Sequence, residues 1–142
     1  LDAVCARYFE ALDQVMQQVA VDQPSTVDRL RAQGLAYVRF AMQNPELYQL
    51  CFERPVPGFV PSQNSLQISF GILERTYSHV KTWLPGLNTS LNERQLTDLL
   101  IAINHGITAL HLANQADVPL EKSRFASLAP TVVALIAQAW AK

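Results

Sequence analysis

The sequence predicts an all-α fold of about six helices, and three observations lead to this prediction. Apolar residues recur at steps of three and four along most of the chain. Prolines rather than glycines separate these segments, which have the lengths of helices. Alternating strand patterns and the Asn-Gly or Asp-Gly pairs of tight hairpins are absent. We therefore interpret residues 1–142 as a single helical domain.

The first two helices are predicted over residues 1–19 and 26–42, each with one continuous apolar stripe. Pro24 ends the first segment. Ser25 is the expected N-cap of the second, and Asp28 three residues later makes an imperfect capping box. The run Asn44-Pro45-Glu46 then predicts a short third helix to about Phe52, because it supplies an N-cap, a first-turn proline and an acid.

Prolines and caps also delimit the second half of the chain. A loop with three prolines occupies residues 54–61, and a fourth helix is expected from Ser62 to about Leu84. Ser90 with Glu93 predicts a capping box for a long fifth helix that ends near residue 115. The last helical segment covers residues 125–140, where Pro130 indicates either a kink or a restart.

The last two helices are apolar nearly all round, which indicates burial on two sides. In a domain of this size the second side is expected to face another copy of the chain. Two helices and their symmetry mates would form a dimeric four-helix bundle. The predicted dimer-interface residues are Leu110, Leu128, Val132, Val133, Ile136 and Trp140.

Composition limits the classes of function. Hydrophobic residues make up 49 % and charged residues 16 % of the chain, against about 25 % charged in typical soluble domains. The net charge is −1, and Lys and Arg do not cluster. This segment by itself is therefore a poor candidate for binding nucleic-acid phosphates. Its apolar character predicts a large core with a cavity, or a face covered by a partner.

Cysteine use and terminal sequence predict the compartment. Cys5 and Cys51 do not make a disulfide framework in a chain of this length, so we expect buried thiols in a reducing, cytoplasmic location. No uninterrupted apolar run of about 20 residues and no signal peptide are evident, so no membrane partner is expected. The chain starts at Leu1 without a methionine and in helical periodicity, so we expect further sequence upstream.

Two motifs resemble a known family. Residues 37–48 read YVRFAMQNPELY, which resembles a segment that precedes the ligand loop in C-terminal domains of the TetR family. Residues 104–110 read NHGITAL, which resembles the His-Gly-aliphatic core of the WHG-type subfamily, although residues 99–103 contain no tryptophan. The resemblance covers roughly residues 30–140. It implies a homodimer built through the last two helices and an upstream helix-turn-helix domain that binds DNA.

The resemblance and the aromatic residues together predict an effector site. Tyr37, Phe40, Met42 and further aromatic residues lie close together in sequence, next to the proline-rich loop. Such a cluster is typical of plain core and also of a mostly apolar ligand pocket, and both interpretations stay open. Tyr77, Asn104 and His105 are candidate polar contacts to a ligand. The full set of predicted ligand-binding residues is Tyr37, Phe40, Tyr48, Phe52, Phe59, Phe70, Tyr77, Asn104 and His105.

Three residues have competing interpretations. Gly106 lies mid-helix, where glycine costs roughly 1 kcal/mol relative to alanine, and a close helix–helix approach would explain it. His105 is then either hydrogen-bonded in the core or exposed on a pocket wall. Arg39 is either a solvated charge with a packed stem or a contact to an anionic ligand.

The expected function is that of the effector-binding and dimerisation domain of a repressor. A small hydrophobic or amphipathic ligand is expected to release this repressor from DNA. The ligand would favour one helix arrangement and so change the separation of the two DNA-reading domains. Catalytic constellations, metal-ligand spacing and cofactor motifs are not evident, so an enzyme is not expected. The main alternative is a helical dimerisation module without a pocket. A third interpretation is a small helical enzyme. A void above about 300 Å³ would favour the sensor over the solid module.

Overall fold

The computed structural model describes residues 2–53 and 62–140, and these residues confirm the all-α prediction. Within those ranges the chain forms helices and short 3₁₀ turns and no strand. The helices are α1 (Asp2–Ala20), α2 (Thr26–Gln43), α3 (Pro45–Glu53), α4 (Gln63–Trp83), α5 (Glu93–Gln115) and α6 (Ala129–Trp140). The 3₁₀ turns are Leu84–Gly86, Leu120–Lys122 and Ala126–Leu128.

Three helices begin at the N-cap residues that the sequence predicts, and in each the side chain of that residue forms the cap. The Ser25 hydroxyl accepts a hydrogen bond from the backbone N–H of Asp28 at 3.1 Å. Asn44 Oδ1 accepts one from the N–H of Leu47 at 3.2 Å. The Ser62 hydroxyl begins α4 in the same way. Each cap supplies an acceptor to an N–H group that has no partner inside the helix.

The start of α5 corrects one prediction. Asn92, not Ser90, is the N-cap: its Oδ1 accepts from the N–H of Gln95 at 2.9 Å. The Gln95 side chain in turn accepts from the N–H of Asn92 at 3.0 Å, which completes a capping box. Ser90 and Glu93 have the sequence pattern of a box, but the helix begins later because the Asn-Gln pair satisfies both N–H groups.

Pro130 marks a restart rather than a kink. It is the second residue of α6, where its fixed φ angle fits a helix and its missing N–H has no intrahelical role. The residues before it form the 3₁₀ turn Ala126–Leu128. The predicted segment 125–140 is therefore a turn followed by a shorter helix.

Helix α2 lies at the centre of the domain, where it contacts α1, α3, α5 and α6. Helix α4 packs against α1 and α5. One buried cluster joins α1, α2, α3 and α5, with Tyr8, Val38 and Tyr48 among its members. A second cluster packs Leu30 of α2 against α6. The helices leave a space between α1, α2, α4, α5 and α6.

Two predicted interface residues belong to this core. Val133 is 5 % exposed and Ile136 is 7 % exposed, and both pack against Leu30 of their own chain. They are therefore corrected from dimer-interface to core residues, since a side chain buried in its own protomer is not available to a partner. Val132 and Trp140 pack against the same cluster and are partly exposed. Leu110 and Leu128 are 47 % and 44 % exposed.

A disulfide between Cys5 of α1 and Cys51 of α3 corrects the expectation of two buried thiols. The two Cα atoms are 5.3 Å apart although 46 positions separate the residues in sequence. Sequence spacing could not reveal this proximity, because it depends on how α3 folds back along α1. The argument for a reducing compartment from cysteine use no longer stands.

Among the described helices, α5 is long and apolar enough to cross a membrane by length and composition alone. Its buried residues include Leu96, Ile107 and His111, and the helix contacts α2 and α4. A helix that forms part of a protein core has the same composition as a short membrane span. Core packing therefore accounts for part of the apolar character of α5, whereas Leu99, Ile101 and Leu110 of the same helix are exposed.

Candidate ligand-binding cavity

A cavity of about 320 Å³ lies between α1, α2, α4, α5 and α6. At about 30 Å³ for each water in the liquid, it has room for roughly ten water molecules. Its volume falls at the lower end of the range of about 300–1,000 Å³ found for small-molecule sites. The apolar part of its wall includes Phe9, Leu12, Met16, Leu30, Ile72, Leu73, Trp83, Leu100 and Val132.

Several polar side chains on the wall are already committed to hydrogen bonds within the protein. Gln33 donates to the backbone carbonyl of Met16 at 3.1 Å. The hydroxyl of Thr76 donates to the carbonyl of Ile72, one helical turn earlier, at 3.0 Å. These bonds leave the wall with few unused polar groups, so the cavity suits a mostly apolar molecule.

Asn104 is one of the polar groups on this wall that remain available. Its side chain lines the cavity, and within the described part of the chain it has no hydrogen-bond partner. Gly34 lies opposite on α2, where an added Cβ would stand 3.7 Å from Asn104 Oδ1. The absence of a side chain at Gly34 therefore keeps the space beside the Asn104 amide open. The amide offers one acceptor and two donor hydrogens to a ligand.

The predicted ligand residues divide into three groups. Tyr37, Phe52 and Asn104 line the cavity. Tyr48 and His105 form the layer behind Phe52, where Tyr48 is completely buried. The third group does not line the cavity in the described part of the chain. The binding role of all the predicted residues stays a prediction.

Phe40, Phe70, Tyr77 and Phe59 are not placed at the cavity. Phe40 lies in a separate surface groove beside Tyr8, and Phe70 is 60 % exposed. The Tyr77 hydroxyl donates to a carboxylate oxygen of Asp98 at 2.7 Å, so its polar group is already used. Phe59 lies outside the described residues.

A chain of hydrogen bonds runs from the cavity wall into the core. The Tyr37 and Tyr48 hydroxyls are 2.9 Å apart, and the Tyr48 hydroxyl is 2.6 Å from Nδ1 of His105. The rings of Phe52 and Tyr48 stack with centroids 4.5 Å apart. Three helices are thereby joined at one point: α2, α3 and α5. The sequence allowed two interpretations of His105, and the structure agrees with the one in which it is hydrogen-bonded to the core.

Burial keeps these phenols neutral. Burial raises the pKa of Tyr48 to about 12, although the hydrogen bond from Tyr37 acts in the opposite direction. Burial, and next the neighbouring Tyr48, raise the pKa of Tyr37 even further. Both side chains therefore act as neutral hydrogen-bond groups near neutral pH, and neither can supply a charge to the cavity.

The sequence predicts a cavity between the helices from Ala3 to Leu110, but it did not single out the α1 residues or most of the α4 residues that form the wall. Phe9, Leu12 and Met16 fall on the apolar stripe of α1, which indicates burial but does not separate a cavity wall from a filled core. Asp13 also lines the cavity, and a carboxylate flanked by stripe residues was a signal that could have identified it.

The close-approach interpretation of Gly106 fails within one protomer. Apart from the neighbouring residues and backbone of α5 itself, no atom of the described residues would lie within 4 Å of a Cβ added at Gly106. This glycine lies with Leu99, Ala102 and Leu110 on the side of α5 that is at least partly exposed. Arg39 is exposed and is absent from the cavity wall, as expected for a solvated charge.

Comparisons with known proteins agree with this fold. The family model described as "Tetracyclin repressor-like, C-terminal domain" matches residues 30–135. No curated protein matches the chain. A solved structure described as a protein with unknown function from Rhodococcus sp. RHA1 superposes with a TM-score of 0.79 at 18 % sequence identity. The match covers 99 % of this chain and 73 % of that one, and it supports the fold alone.

Proposed function

The chain belongs to the tetracycline repressor-like C-terminal domain family, and from that premise we propose that its cavity binds a small effector that controls a DNA-binding regulator. The observation that carries the proposal is the cavity of about 320 Å³ with the available Asn104 amide on its wall. A domain with a solid core would have side chains in this space, at the packing density of protein interiors.

The proposed regulator acts as a homodimer. Apolar side chains that are exposed within the described part of the chain lie on both of the last two long helices, as a partner helix would require. Gly106 lies on that side of α5 and would allow a close approach of the partner. The exposed or partly exposed apolar residues of this region are Leu99, Ala102, Gly106, Leu110, Leu128 and Leu135.

The proposed mechanism is a shift between two arrangements of the helices around the cavity. An effector that fits one arrangement better changes its population by the ratio of the two affinities. In the dimer, the change would alter the separation of two helix-turn-helix domains that we propose precede α1. DNA half-sites have a fixed spacing of one helical turn, so such a change weakens binding. We propose that the whole protein is a cytoplasmic repressor. It leaves its DNA site when the effector binds, and it has no catalytic role.

A fluorescent probe tests whether the cavity binds ligands. N-phenyl-1-naphthylamine is apolar and uncharged, and its emission increases in an apolar site. We expect saturable binding of one probe for each protomer. The variant Gly34→Leu should abolish it, because the new side chain projects into the cavity beside Asn104.

The matched control is Gly34→Ala. Its methyl group would meet Asn104 at an ordinary contact distance of 3.7 Å and leaves most of the cavity open. It should bind the probe and, as an alanine inside a helix, unfold with a free energy about 1 kcal/mol higher. If both variants bind the probe equally, the probe binds outside the cavity. If the unmodified chain shows no saturable binding, the result favours the dimerisation module without a pocket.

A further inference from the structure

The charge on the cavity wall restricts the class of effector. None of the described lining residues is Lys or Arg; Asp13 is the single carboxylate and His79 the single imidazole among them. An anionic ligand would lose its hydration in this mostly apolar space, would lie near the Asp13 carboxylate, and would not gain the permanent counter-charge of a Lys or Arg. A neutral or cationic ligand avoids this penalty, and a cation can gain an ion pair.

Asp13 is a partly desolvated carboxylate with an incomplete set of partners. Its side chain is 13 % exposed. Gln17 donates to Oδ2 at 3.0 Å, and Arg75 of α4 approaches the same oxygen at 3.7 Å. That separation exceeds the 2.7–2.9 Å or so of a charge-assisted hydrogen bond. Within the described residues, no donor contacts Oδ1 of Asp13. The carboxylate can therefore accept a stronger cationic partner.

Asp13 lies at a boundary between two spaces. On one side it lines the cavity, and on the other it lines a polar groove between α1 and α4. The groove residues are Glu10, Asp13, Gln14, Gln67, Ile68, Gly71 and Arg75. Arg75 is 58 % exposed and belongs to the groove but not to the cavity wall. A ligand inside the cavity and the Arg75 guanidinium thus approach the same carboxylate from different sides.

We propose that the effector is a cationic amphiphile whose ammonium group pairs with Asp13 in place of Arg75. This proposal rests on the proposed function of the cavity as an effector site. The apolar body of the molecule lies against residues such as Leu73 and Trp83. A primary ammonium has three N–H donors, which suits a carboxylate with an unused oxygen.

This exchange of partners links binding to the position of α1. Among the ion pairs of the described residues, Arg75–Asp13 is the one that joins α4 to α1. A ligand ammonium that replaces Arg75 removes this connection while it fills the space between the same two helices. The effector therefore changes the contact between α1 and α4 through a specific pair of side chains.

The test compares three ligands with the same apolar chain: octylammonium, octan-1-ol and octanoate. Each displaces bound N-phenyl-1-naphthylamine in a competition titration near pH 7. We expect octylammonium to bind about tenfold more tightly than octan-1-ol, which corresponds to about 1.4 kcal/mol. Octanoate should bind most weakly. In Asp13→Asn, which removes the charge and keeps the shape, octylammonium should lose this advantage while octan-1-ol keeps its affinity.

Two matched variants separate a specific ion pair from general electrostatics. Glu10→Gln removes the same charge from an exposed neighbour that lines the groove but not the cavity, so it should leave the preference for octylammonium intact. Arg75→Gln removes the competing cation and should increase the affinity for octylammonium several-fold without changing that for octan-1-ol.

The outcomes distinguish this proposal from the proposed function. Equal affinities for octylammonium and octan-1-ol, or a preference that survives in Asp13→Asn, would overturn the assignment of a cationic ligand and leave the cavity as a site for neutral molecules. An equal loss of preference in Glu10→Gln would also overturn the role of Asp13. If the probe binds but none of the three compounds displaces it, the proposal of a cationic amphiphile fails; if the probe does not bind, or binds Gly34→Leu as well as the unmodified chain, the proposed function fails.

Discussion

The hydroxyl of Tyr48 lies 2.6 Å from Nδ1 of His105, and this contact joins α3 to α5 inside the protein. Tyr48 is completely buried, and its hydroxyl also lies 2.9 Å from that of Tyr37 on the cavity wall. A buried polar group is stabilising only while its partners are in place, because water cannot replace them. The cavity thus borders on a polar network that depends on one hydroxyl.

Removal of that hydroxyl should destabilise the domain. Tyr48→Phe leaves both Tyr37 and His105 without their shared partner, so we expect the free energy of unfolding to fall by about 1–3 kcal/mol. Tyr37→Phe is the control, because it ends the chain of hydrogen bonds one step earlier and leaves the Tyr48–His105 contact intact. The free energy of unfolding should fall less in Tyr37→Phe than in Tyr48→Phe. Urea unfolding measures both, and equal losses would contradict the central role of Tyr48.

Stability should fall in mild acid because of His111. This histidine is buried, its Nδ1 lies 2.6 Å from the Ser123 hydroxyl, and burial lowers its pKa. Below the unfolded-state pKa of about 6.5, the unfolded chain binds a proton that the folded chain does not. The stability contributed by neutral His111 is therefore present above that pH and is lost progressively as the pH falls through it.

The comparison that isolates this effect uses two histidines. His111→Gln should weaken the dependence of the unfolding free energy on pH, whatever its effect at pH 7.5. His79→Gln changes an exposed histidine and should leave the dependence as it is. Denaturant titrations at several pH values provide the measurement. A pH dependence unchanged in His111→Gln would show that other groups cause it.

The disulfide should contribute strongly to stability. Cys5 and Cys51 close a loop of 46 residues, for which the loss of chain entropy in the unfolded state corresponds to about 4 kcal/mol. The double variant Cys5→Ser/Cys51→Ser should therefore melt roughly 10 °C lower. Dithiothreitol should lower the melting temperature of the unmodified chain and leave that of the double variant unchanged. Insensitivity of both proteins to the reductant would contradict the cross-link.

The dimer prediction is best tested on exposed side chains of α5 and α6. Leu135 is 60 % exposed, and an arginine there should give a monomer in sedimentation velocity while the fold persists. Leu110→Arg tests α5 in the same way. Val21→Arg is the control, since Val21 is 74 % exposed but lies in the turn after α1. Dimers that persist in Leu135→Arg and Leu110→Arg would exclude this face.

Local patterns in the sequence determined the secondary structure. The caps at Ser25, Asn44 and Ser62 and the apolar stripes fixed most helices, because both signals act over a single helical turn. The family resemblance over residues 37–48 rests on the same kind of local signal. Where two possible caps lay close together, the sequence pattern predicted Ser90, and this was wrong because Asn92 is the N-cap of α5.

Only the tertiary structure decided which apolar residues enclose a space and which fill one. Phe52 and Met16 line the cavity, whereas Val38 and Ile136 fill the core, although all four lie on helical stripes. Periodicity shows which side of a helix is buried but not what it is buried against. The Cys5–Cys51 bond and the Asp13–Arg75 pair likewise depend on residues far apart in sequence, which only the packing of whole helices brings together.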